Sequence, residues 1–392
     1  MSVFTLEASL ALLGLVLLLL EAFRPEISRR TLGYTAMAGT ALALVLLPAC
    51  GTELPAFMQP WHQIDTLALF YKGFALVITL LVLWLTLECA PYLTRFTLDG
   101  KLAEMFSLPL IVCAGMMWMA SARDLVTVFI CLELVTISFY VLVAFARKSA
   151  LSLEAGVKYL ILGALATGVL VYGIAWVYGA TGSMNFDAIG KALANPATSK
   201  ATALFGAALI LVGLGFKVAA APFHMWVPDV YQGAPTPVTT FLSVGSKAAG
   251  FVVLTRALDA FMAKGSIIAD EVQGVLLVGG SLTVLLGSLP AIYQTSVKRL
   301  LAYSSISHAG YLLLALACGG DGRFGLGGSG IVAFYLATYL PMTVLGFLGL
   351  GLMRSNGLGE DIKDFTGLAK RNPVLAFFMI ISRHSSSSVM IS

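Results

Sequence analysis

The stretch Ala207–Phe251, AALILVGLGFKVAAAPFHMWVPDVYQGAPTPVTTFLSVGSKAAGF, contains two lysine residues inside otherwise apolar helical sequence. Pro222 and a polar, proline-rich turn separate Lys217 from Lys247. A lysine at the centre of a bilayer costs about 3 kcal/mol on insertion scales. Proline removes a helix hydrogen bond, and freed carbonyl groups are tolerated at membrane depth only where protein or water satisfies them. The stretch therefore predicts a broken transmembrane helix beside an aqueous or proton path.

An alternative for Lys217 is that its side chain only extends to the nearer membrane surface. Lysine residues near helix ends often do so, and few residues separate Lys217 from the break at Pro222. The second lysine counts against this alternative, because Lys247 lies well inside the helix that begins near Pro237.

The amino-acid composition indicates that the chain is a membrane protein. Of the 392 residues, 59% are hydrophobic and 11% are charged, and the mean hydropathy is +0.92. Soluble domains carry about 25% charged residues. We therefore predict an all-α fold, a polytopic bundle of transmembrane helices of about 20 residues each. The apolar runs fall at about 4–22, 31–48, 66–88, 105–121, 125–146, 156–179, 202–223, 237–260, 272–293, 300–318, 328–353 and 373–382.

Composition also excludes several functions for this chain. The five cysteine residues form no CxxC pair, so neither an iron–sulfur cluster nor a zinc site is indicated. The net charge of +4 comes without a basic cluster, which argues against a nucleic-acid partner. Redox chemistry near this protein is therefore expected in other chains.

The basic residues predict the orientation in the membrane. Sorting the loops alternately places most lysine and arginine residues on one side, including Arg24 and Arg147. Basic residues accumulate in short cytoplasmic loops. We therefore expect this side in the cytoplasm and the N-terminus outside. The connection between the seventh and eighth runs then lies at the cytoplasmic end, with Trp226 and Tyr231 as interfacial anchors.

Glu133 is an acidic residue near the middle of the fifth run, with apolar neighbours on both sides. A lone buried carboxylate takes up a proton, whereas a neighbouring lysine keeps it ionised. Axes of adjacent helices lie about 8–10 Å apart, and water can bridge the remaining gap. As a hypothesis, Lys217 takes a proton from the cytoplasm while Glu133 balances the charge, and the proton then moves on through Lys247.

Lys158 and His308 are further candidates for this relay. Lys158 lies a few residues inside the sixth run, after Glu154, and the alternative is a lysine that extends to the membrane surface. His308 follows three serine residues in the tenth run, and its alternative is to satisfy hydrogen bonds between helices.

Two other charged residues are expected to lie at membrane boundaries. Lys72 is close to the start of the third run, near Asp65, and we expect its side chain to extend to the surface. Glu21 lies at the end of the first run beside Arg24, and we expect it to be solvated.

The segments that hold these charges resemble a known family. FKVAAAPFHMWVPDVYQGAPTPVTTFLSVGSKAAGF and KRLLAYSSISHAGYLL, with the Glu133 run before them, are similar to subunit N of proton-pumping NADH:quinone oxidoreductase, respiratory complex I. This subunit belongs to an antiporter-like family shared with multisubunit cation/proton antiporters. The PDVYQGAPTPV run and Lys247 favour subunit N over its sister subunits L and M.

The resemblance implies a fold of fourteen helices with two inverted five-helix repeats, each with a broken helix. It implies that Glu133 and Lys217 form a glutamate–lysine pair, that Lys247 is the central lysine, and that Lys158 matches a further lysine of the polar axis. In this chain it predicts three N-terminal helices in 1–104 and a first repeat in 105–260.

The resemblance also implies partners and location. NADH, FMN, iron–sulfur clusters and quinone belong to other subunits, and this chain carries no cofactor. Expected neighbours are the antiporter-like subunit M, the small subunits K, J and A, and the lipid of a bacterial inner membrane.

The C-terminal sequence departs from the family. The family continues through a second broken helix with another lysine and two more spans, whereas this chain ends in IISRHSSSSVMIS. We therefore expect a C-terminally truncated form, with an incomplete second repeat in 272–382 and an atypical tail in 383–392. Two alternatives stay open, a subunit of a multisubunit cation/proton antiporter and a non-conducting scaffold of the membrane arm.

Overall fold

A computed structural model describes residues 2–24, 26–97, 100–319, 327–355, 357–373 and 376. Within these ranges the chain forms fifteen α-helices. They are α1 (Val3–Phe23), α2 (Arg29–Leu46), α3 (Thr66–Leu93), α4 (Ala103–Ala120), α5 (Leu125–Val143), α6 (Ala150–Thr181), α7 (Phe186–Leu193), α8 (Lys200–Val218), α9 (Trp226–Gly233), α10 (Thr236–Phe241), α11 (Lys247–Phe261), α12 (Ala269–Ala291), α13 (Val297–Cys318), α14 (Gly328–Ser355) and α15 (Leu368–Arg371).

Eleven of the described helical segments are long and apolar enough to cross a membrane. They coincide with the first eleven apolar runs, so the predicted polytopic helical bundle is confirmed. One of these spans, Thr236–Phe261, joins α10 and α11 through a π-helical segment, Leu242–Ser246. The window that defines this span is entirely buried inside the protein. The twelfth run lies outside the described residues apart from positions 373 and 376.

Side-chain caps fix where several spans begin. Asp65 accepts a hydrogen bond from the backbone N–H of Ala68 at the start of α3. Asp124 does the same for two amides of α5, and Ser199 accepts from Thr202 at the start of α8. These caps satisfy donors that the first helical turn leaves without a partner.

The connections alternate between two faces of the bundle. We call the face that carries Ser2 the N-terminal face. Short bridges join neighbouring connections there, between Ser2 and Gly51, His62 and Ala122, and Asp124 and Asn185. The opposite face carries the break between α8 and α9, and a bridge between Ser296 and Asp361. The alternation of loops on which the predicted orientation rests is therefore present.

The predicted broken helix is confirmed. Helix α8 ends at Val218, and Ala219 adopts a left-handed conformation with φ of 65°. Its amide donates back to the carbonyl groups of Gly215 and Phe216, which closes the helix end. The chain then turns through Pro222 into the short helix α9 and on to the next span.

The prediction of Trp226 and Tyr231 as interfacial anchors is wrong. Their exposed fractions are 4% and 1%. Trp226 stacks on Tyr159 with a centroid distance of 4.8 Å and donates its indole N–H to the carbonyl group of Phe216. The segment after the break folds back into the bundle, so these rings pack against helices instead of reaching the membrane surface.

The prediction that Lys72 extends to the surface is also wrong. Its side chain is fully buried, where it contacts the carboxylate of Glu7 on α1. It also donates to the carbonyl group of Met117 at 2.9 Å and to the hydroxyl group of Ser121 at 3.0 Å. Glu7 lies within the first apolar run. Because its carboxylate pairs with the ammonium group of Lys72, the side chain of Lys72 stays inside the bundle.

Glu21 is buried as well, against the expectation of a solvated carboxylate. It accepts hydrogen bonds from the backbone N–H groups of Leu102 and Ala103, at 3.4 and 3.1 Å. Both donors lie at the start of α4, where Leu102 supplies no side-chain cap. The carboxylate of Glu21 on α1 thus accepts hydrogen bonds from backbone N–H groups that the first turn of α4 leaves without a partner.

The boundaries at 104, 260 and 382 between N-terminal helices and repeats stay a prediction, as does the inverted relation of the repeats.

Candidate functional site

Lys217 lies in the last turn of α8, directly before the break. It is 9% exposed, and its ammonium group contacts the hydroxyl group of Thr136 on α5. A small cavity beside this contact is also lined by Ser246 and Gly250. Because the break ends α8 here, the side chain points across to α5 and the π-helical segment instead of along its own helix.

Glu133 lies one helical turn before Thr136 on α5, so the two side chains share a side of the helix. Glu133 is half-buried, and it accepts a hydrogen bond of 2.8 Å from the hydroxyl group of Thr167 on α6. These two described residues, Glu133 and Lys217, do not approach within the 4.0 Å of an ion pair. Glu133 and Lys217 therefore lie in one region, with Thr136 between them. They do not form the direct ion pair that the resemblance implies.

Lys247 is the first residue of α11, immediately after the π-helical segment. It is 2% exposed and contacts both the hydroxyl and the carbonyl oxygen of Ser305 on α13. The ring of Tyr339 on α14 lies 5.9 Å from its ammonium group. The hydroxyl group of Tyr231 lies 3.5 Å from that of Ser305. Lys247 is therefore held in a buried polar pocket of hydroxyl groups and aromatic rings.

His308 lies one turn after Ser305 on α13, on the same side of the helix. Its Nδ1 atom is hydrogen-bonded to the hydroxyl group of Tyr335 on α14. Its Nε2 atom is buried and, among the described groups, has no hydrogen-bond partner. The structure thus brings His308 into the surroundings of Lys247, as the relay hypothesis requires.

The structure does not bring Lys158 to these two lysine residues. Its side chain is 43% exposed and forms ion pairs with Glu154 at 2.7 Å and Asp229 at 2.8 Å. Arg299 reaches the other oxygen of Asp229, also at 2.8 Å. Burial acts to raise the pKa of Asp229, but the bonds from Lys158 and Arg299 outweigh it and hold this pKa below its usual value. Lys158 therefore belongs to an ion-pair cluster at the opposite face.

Sequence reasoning missed the partners of the buried charges. Thr136 carries a signal in retrospect, because it is a hydroxyl residue three positions after Glu133. Ser305 stands out only as part of a serine run. Glu7 gives no signal beyond being an acid inside an apolar run.

The two lysine contacts share one chemical property. A hydroxyl group accepts a hydrogen bond from an ammonium group and donates one to a neutral amine, so it fits both protonation states. Neither Lys217 nor Lys247 forms an ion pair with another described residue. The loss of a proton from either lysine residue would therefore break no ion pair with a described carboxylate.

In the described part of the chain, no group of three or more His, Cys, Asp or Glu residues is arranged to hold a metal ion. All five cysteine residues are free thiols, and three of them are buried.

Residues 122–389 match the family described as "NADH:quinone oxidoreductase/Mrp antiporter, TM". NADH-quinone oxidoreductase subunit N of Moorella thermoacetica is 40% identical over 387 residues, which covers 98% of this chain and 78% of the relative. Subunit N of Desulforamulus reducens is 38% identical over the same shares of the two chains.

Two solved structures are also similar. A chain of respiratory complex I from Thermus thermophilus has a TM-score of 0.75 at 30% identity, with 98% of this chain and 82% of that chain covered. A chain of an archaeal membrane-bound sulfane sulfur reductase has a TM-score of 0.81 at 25% identity, with 96% and 77% covered.

The fold and the buried lysine residues thus define a transmembrane subunit of the antiporter-like class, and the chain belongs to the family shared by NADH:quinone oxidoreductases and Mrp antiporters. Within that family, the relatives from Moorella thermoacetica and Desulforamulus reducens are subunit N of NADH-quinone oxidoreductase, which confirms the resemblance drawn from the sequence.

Proposed function

We propose that this chain is a membrane-arm subunit of NADH:quinone oxidoreductase that moves protons, driven by electron transfer from NADH to quinone. The observation that supports this most strongly is the pair of buried ammonium groups, Lys217 and Lys247, each bound by a hydroxyl group. Lys217 lies where α8 ends at the break, and Lys247 lies directly after the π-helical segment within its span. Discontinuous helices near the membrane midplane are where transporters place ion sites.

The contacts support the following proposal for the proton-transfer roles. A proton that enters from the opposite face is taken by Lys217, while the carboxylate of Glu133 balances the charge one turn away on α5. Ser246 lines the cavity beside Lys217 and directly precedes Lys247, and this is where we propose that a proton passes between the two lysine residues. His308 then extends the relay from Lys247 towards α14. Lys158 takes no part in this step.

The proposed cofactors and partners are those that the resemblance to subunit N implies. NADH, FMN, iron–sulfur clusters and quinone are carried by other subunits of the complex. Subunits M, K, J and A are the proposed neighbours in the membrane arm. The protein lies in the bacterial inner membrane with its N-terminus outside, because the basic residues gather at the opposite face.

A second candidate is a subunit of a cation/proton antiporter. The matched family includes Mrp antiporters, and the same charged spans would serve exchange without electron transfer. Purification of the complex distinguishes these two candidate functions. A tag on this chain should bring down a complex that contains flavin and iron–sulfur clusters and reduces quinone with NADH. A complex without flavin that exchanges cations for protons would support the antiporter instead.

Lys217→Met in the purified complex then tests the transfer role. We expect quinone reduction to uncouple from proton uptake, or both to fall together. Lys158→Met is the control and should leave both unchanged. Unchanged proton uptake in Lys217→Met would favour the non-conducting scaffold.

A further inference from the structure

A cavity of about 180 Å³ lies between α8 and α12, beside the break that follows α8. The described residues that line it are glycines or have apolar side chains. They come from α8, the break, α11, α12 and α13, and each of these elements contributes a large side chain: Leu211, Phe223, Leu254, Leu276 and Leu313. We call this space the α8–α12 cavity.

The α8–α12 cavity is not suited to water. The backbone amide of Ala220 on its wall already donates to the carbonyl group of Gly215 at 2.8 Å. The amide of Ala221 donates to the hydroxyl group of Thr283, also at 2.8 Å, and the amide of Phe223 donates to the carbonyl group of Ala220 at 2.7 Å. A buried water molecule needs about two to four polar partners, and an apolar cavity of about 150 Å³ stays dry and binds small apolar molecules. The cavity is therefore suited to an apolar occupant.

Small residues on both helices create this space. Helix α8 contributes Ala208 and Gly215 to the wall, and α12 contributes Gly279 and Gly280. A methyl group added at Gly279 would meet no described atom within 4 Å beyond its own turns of helix. Protein interiors are close-packed, and the atoms that line a void lose dispersion contacts. An apolar guest in the cavity would restore these contacts.

The position of the cavity along the spans indicates what can enter it. Ala208 lies at the middle of α8 and Gly279 at the middle of α12, so the cavity begins at mid-membrane depth and continues to the break. Val275, at its edge, is 54% exposed. Val278 and Leu282 follow Val275 on the outer side of α12 and are 62% and 46% exposed. Apolar side chains exposed on the outside of a span face lipid tails, so the cavity opens towards the hydrocarbon core of the bilayer.

We propose that the α8–α12 cavity binds one acyl chain of a membrane phospholipid, which enters between the two helices and packs against the break. A second helix does not fit, because a helix with its side chains is about 10–12 Å across. An unbranched acyl chain is narrow, and the bilayer supplies it at this depth. The bound chain contacts Ala220 and Ala221, which follow the end of α8. It therefore supports the backbone at the end of the helix that carries Lys217.

Photolabelling tests the site in the complete complex that contains this chain. The complex is reconstituted into vesicles of phosphatidylcholine that carries a photoreactive diazirine in the middle of one acyl chain, and the labelled residues are mapped by mass spectrometry after illumination. We expect labels on Leu254 and Leu313, which are 1% and 4% exposed and line the cavity. Lipid that touches only the outer surface does not reach them. Labels confined to exposed residues such as Val278 and Leu282 overturn the proposal, as does a neighbouring subunit whose side chain fills the cavity.

Gly279→Leu fills the cavity from α12 and should abolish the labels on Leu254 and Leu313. Gly274→Leu is the matched control, because Gly274 lies on the same helix, has the same open space around an added methyl group and does not line the cavity. It should leave both labels unchanged. Ala208→Leu fills the cavity from α8 and replaces Gly279→Leu if that variant does not assemble. Undiminished labelling of Leu254 and Leu313 in the filled variant overturns the proposal.

Discussion

The ammonium group of Lys217 contacts the hydroxyl group of Thr136, so the helix that ends at the break is tied to α5 by a bond that is not an ion pair. The carboxylate of Glu133 lies one turn before Thr136 on α5 and accepts a hydrogen bond from the hydroxyl group of Thr167. A change in the position of α5 relative to α8 would therefore alter the surroundings of Lys217 without first separating two opposite charges.

Thr136→Val should impair proton movement, because valine has nearly the shape of threonine but cannot bond to the amine of Lys217. Thr136→Ser keeps the hydroxyl group and is the matched control. We expect a reduced number of protons moved per NADH oxidised in the valine variant and a normal number in the serine variant, measured in vesicles. Equal pumping by both would show that this bond has no part in transfer.

Lys158→Met should leave pumping intact. The side chain belongs to a partly exposed cluster with Glu154 and Asp229, and exposed ion pairs contribute little to stability because water and salt screen them. We expect a small change in thermal stability at low salt that disappears at high salt, and an unchanged proton yield. A pumping defect with normal assembly would place Lys158 on the transfer path, as the family resemblance implies.

Glu7 and Lys72 should depend on each other for stability. Their contact is fully buried, so Glu7→Leu or Lys72→Met alone leaves one charge without its partner, at about 3–5 kcal/mol. The double variant should recover most of this loss. Lys200→Met is the control, since Lys200 and Glu271 form an exposed ion pair that water and salt screen. Additive losses in thermal unfolding of the purified protein would contradict the coupling.

Glu360 should make the connection after α14 sensitive to acid. It pairs with Lys298 at 3.0 Å, and Lys298 also donates to the carbonyl group of Ala234 next to the break. Burial acts to raise the pKa of Glu360, but the charges of Lys298 and Arg354 outweigh it and hold this pKa below 4.5. The unfolded chain then binds more protons, so this stabilisation is present at neutral pH and is lost as the pH falls through the lowered pKa.

Comparison of unfolding midpoints for the unmodified protein and Glu360→Gln checks this sign. The variant should be less stable at neutral pH, and the difference should shrink below pH of about 4.5. A difference that grows on acidification would contradict it.

Much of the fold was predictable because membrane insertion imposes a strong constraint on sequence. Runs of about 20 apolar residues become spans, and prolines near Lys217 mark the break. The free-energy cost of a polar side chain inside the membrane likewise identifies the candidate site residues, which are Lys217, Lys247, Glu133 and His308. Their roles in transfer stay proposals.

What the sequence does not encode locally is which residues face each other. An apolar run shows little difference between its sides, so nothing points Glu7 towards Lys72 or Lys247 towards Ser305. Trp226 is wrongly predicted at the membrane surface for the same reason, because aromatic residues are common both there and in a packed interior. Contacts between helices that are distant in the sequence determine which side chains face each other and which rings are buried.

The central claim is that Lys217 and Lys247 carry protons through this chain. The most direct measurement is the number of protons moved per NADH oxidised by fully assembled complexes in vesicles, with Lys217→Met and Lys247→Met compared with Lys158→Met. We expect a lower proton yield in the first two and a normal yield in the third. A normal yield in all three would contradict the claim.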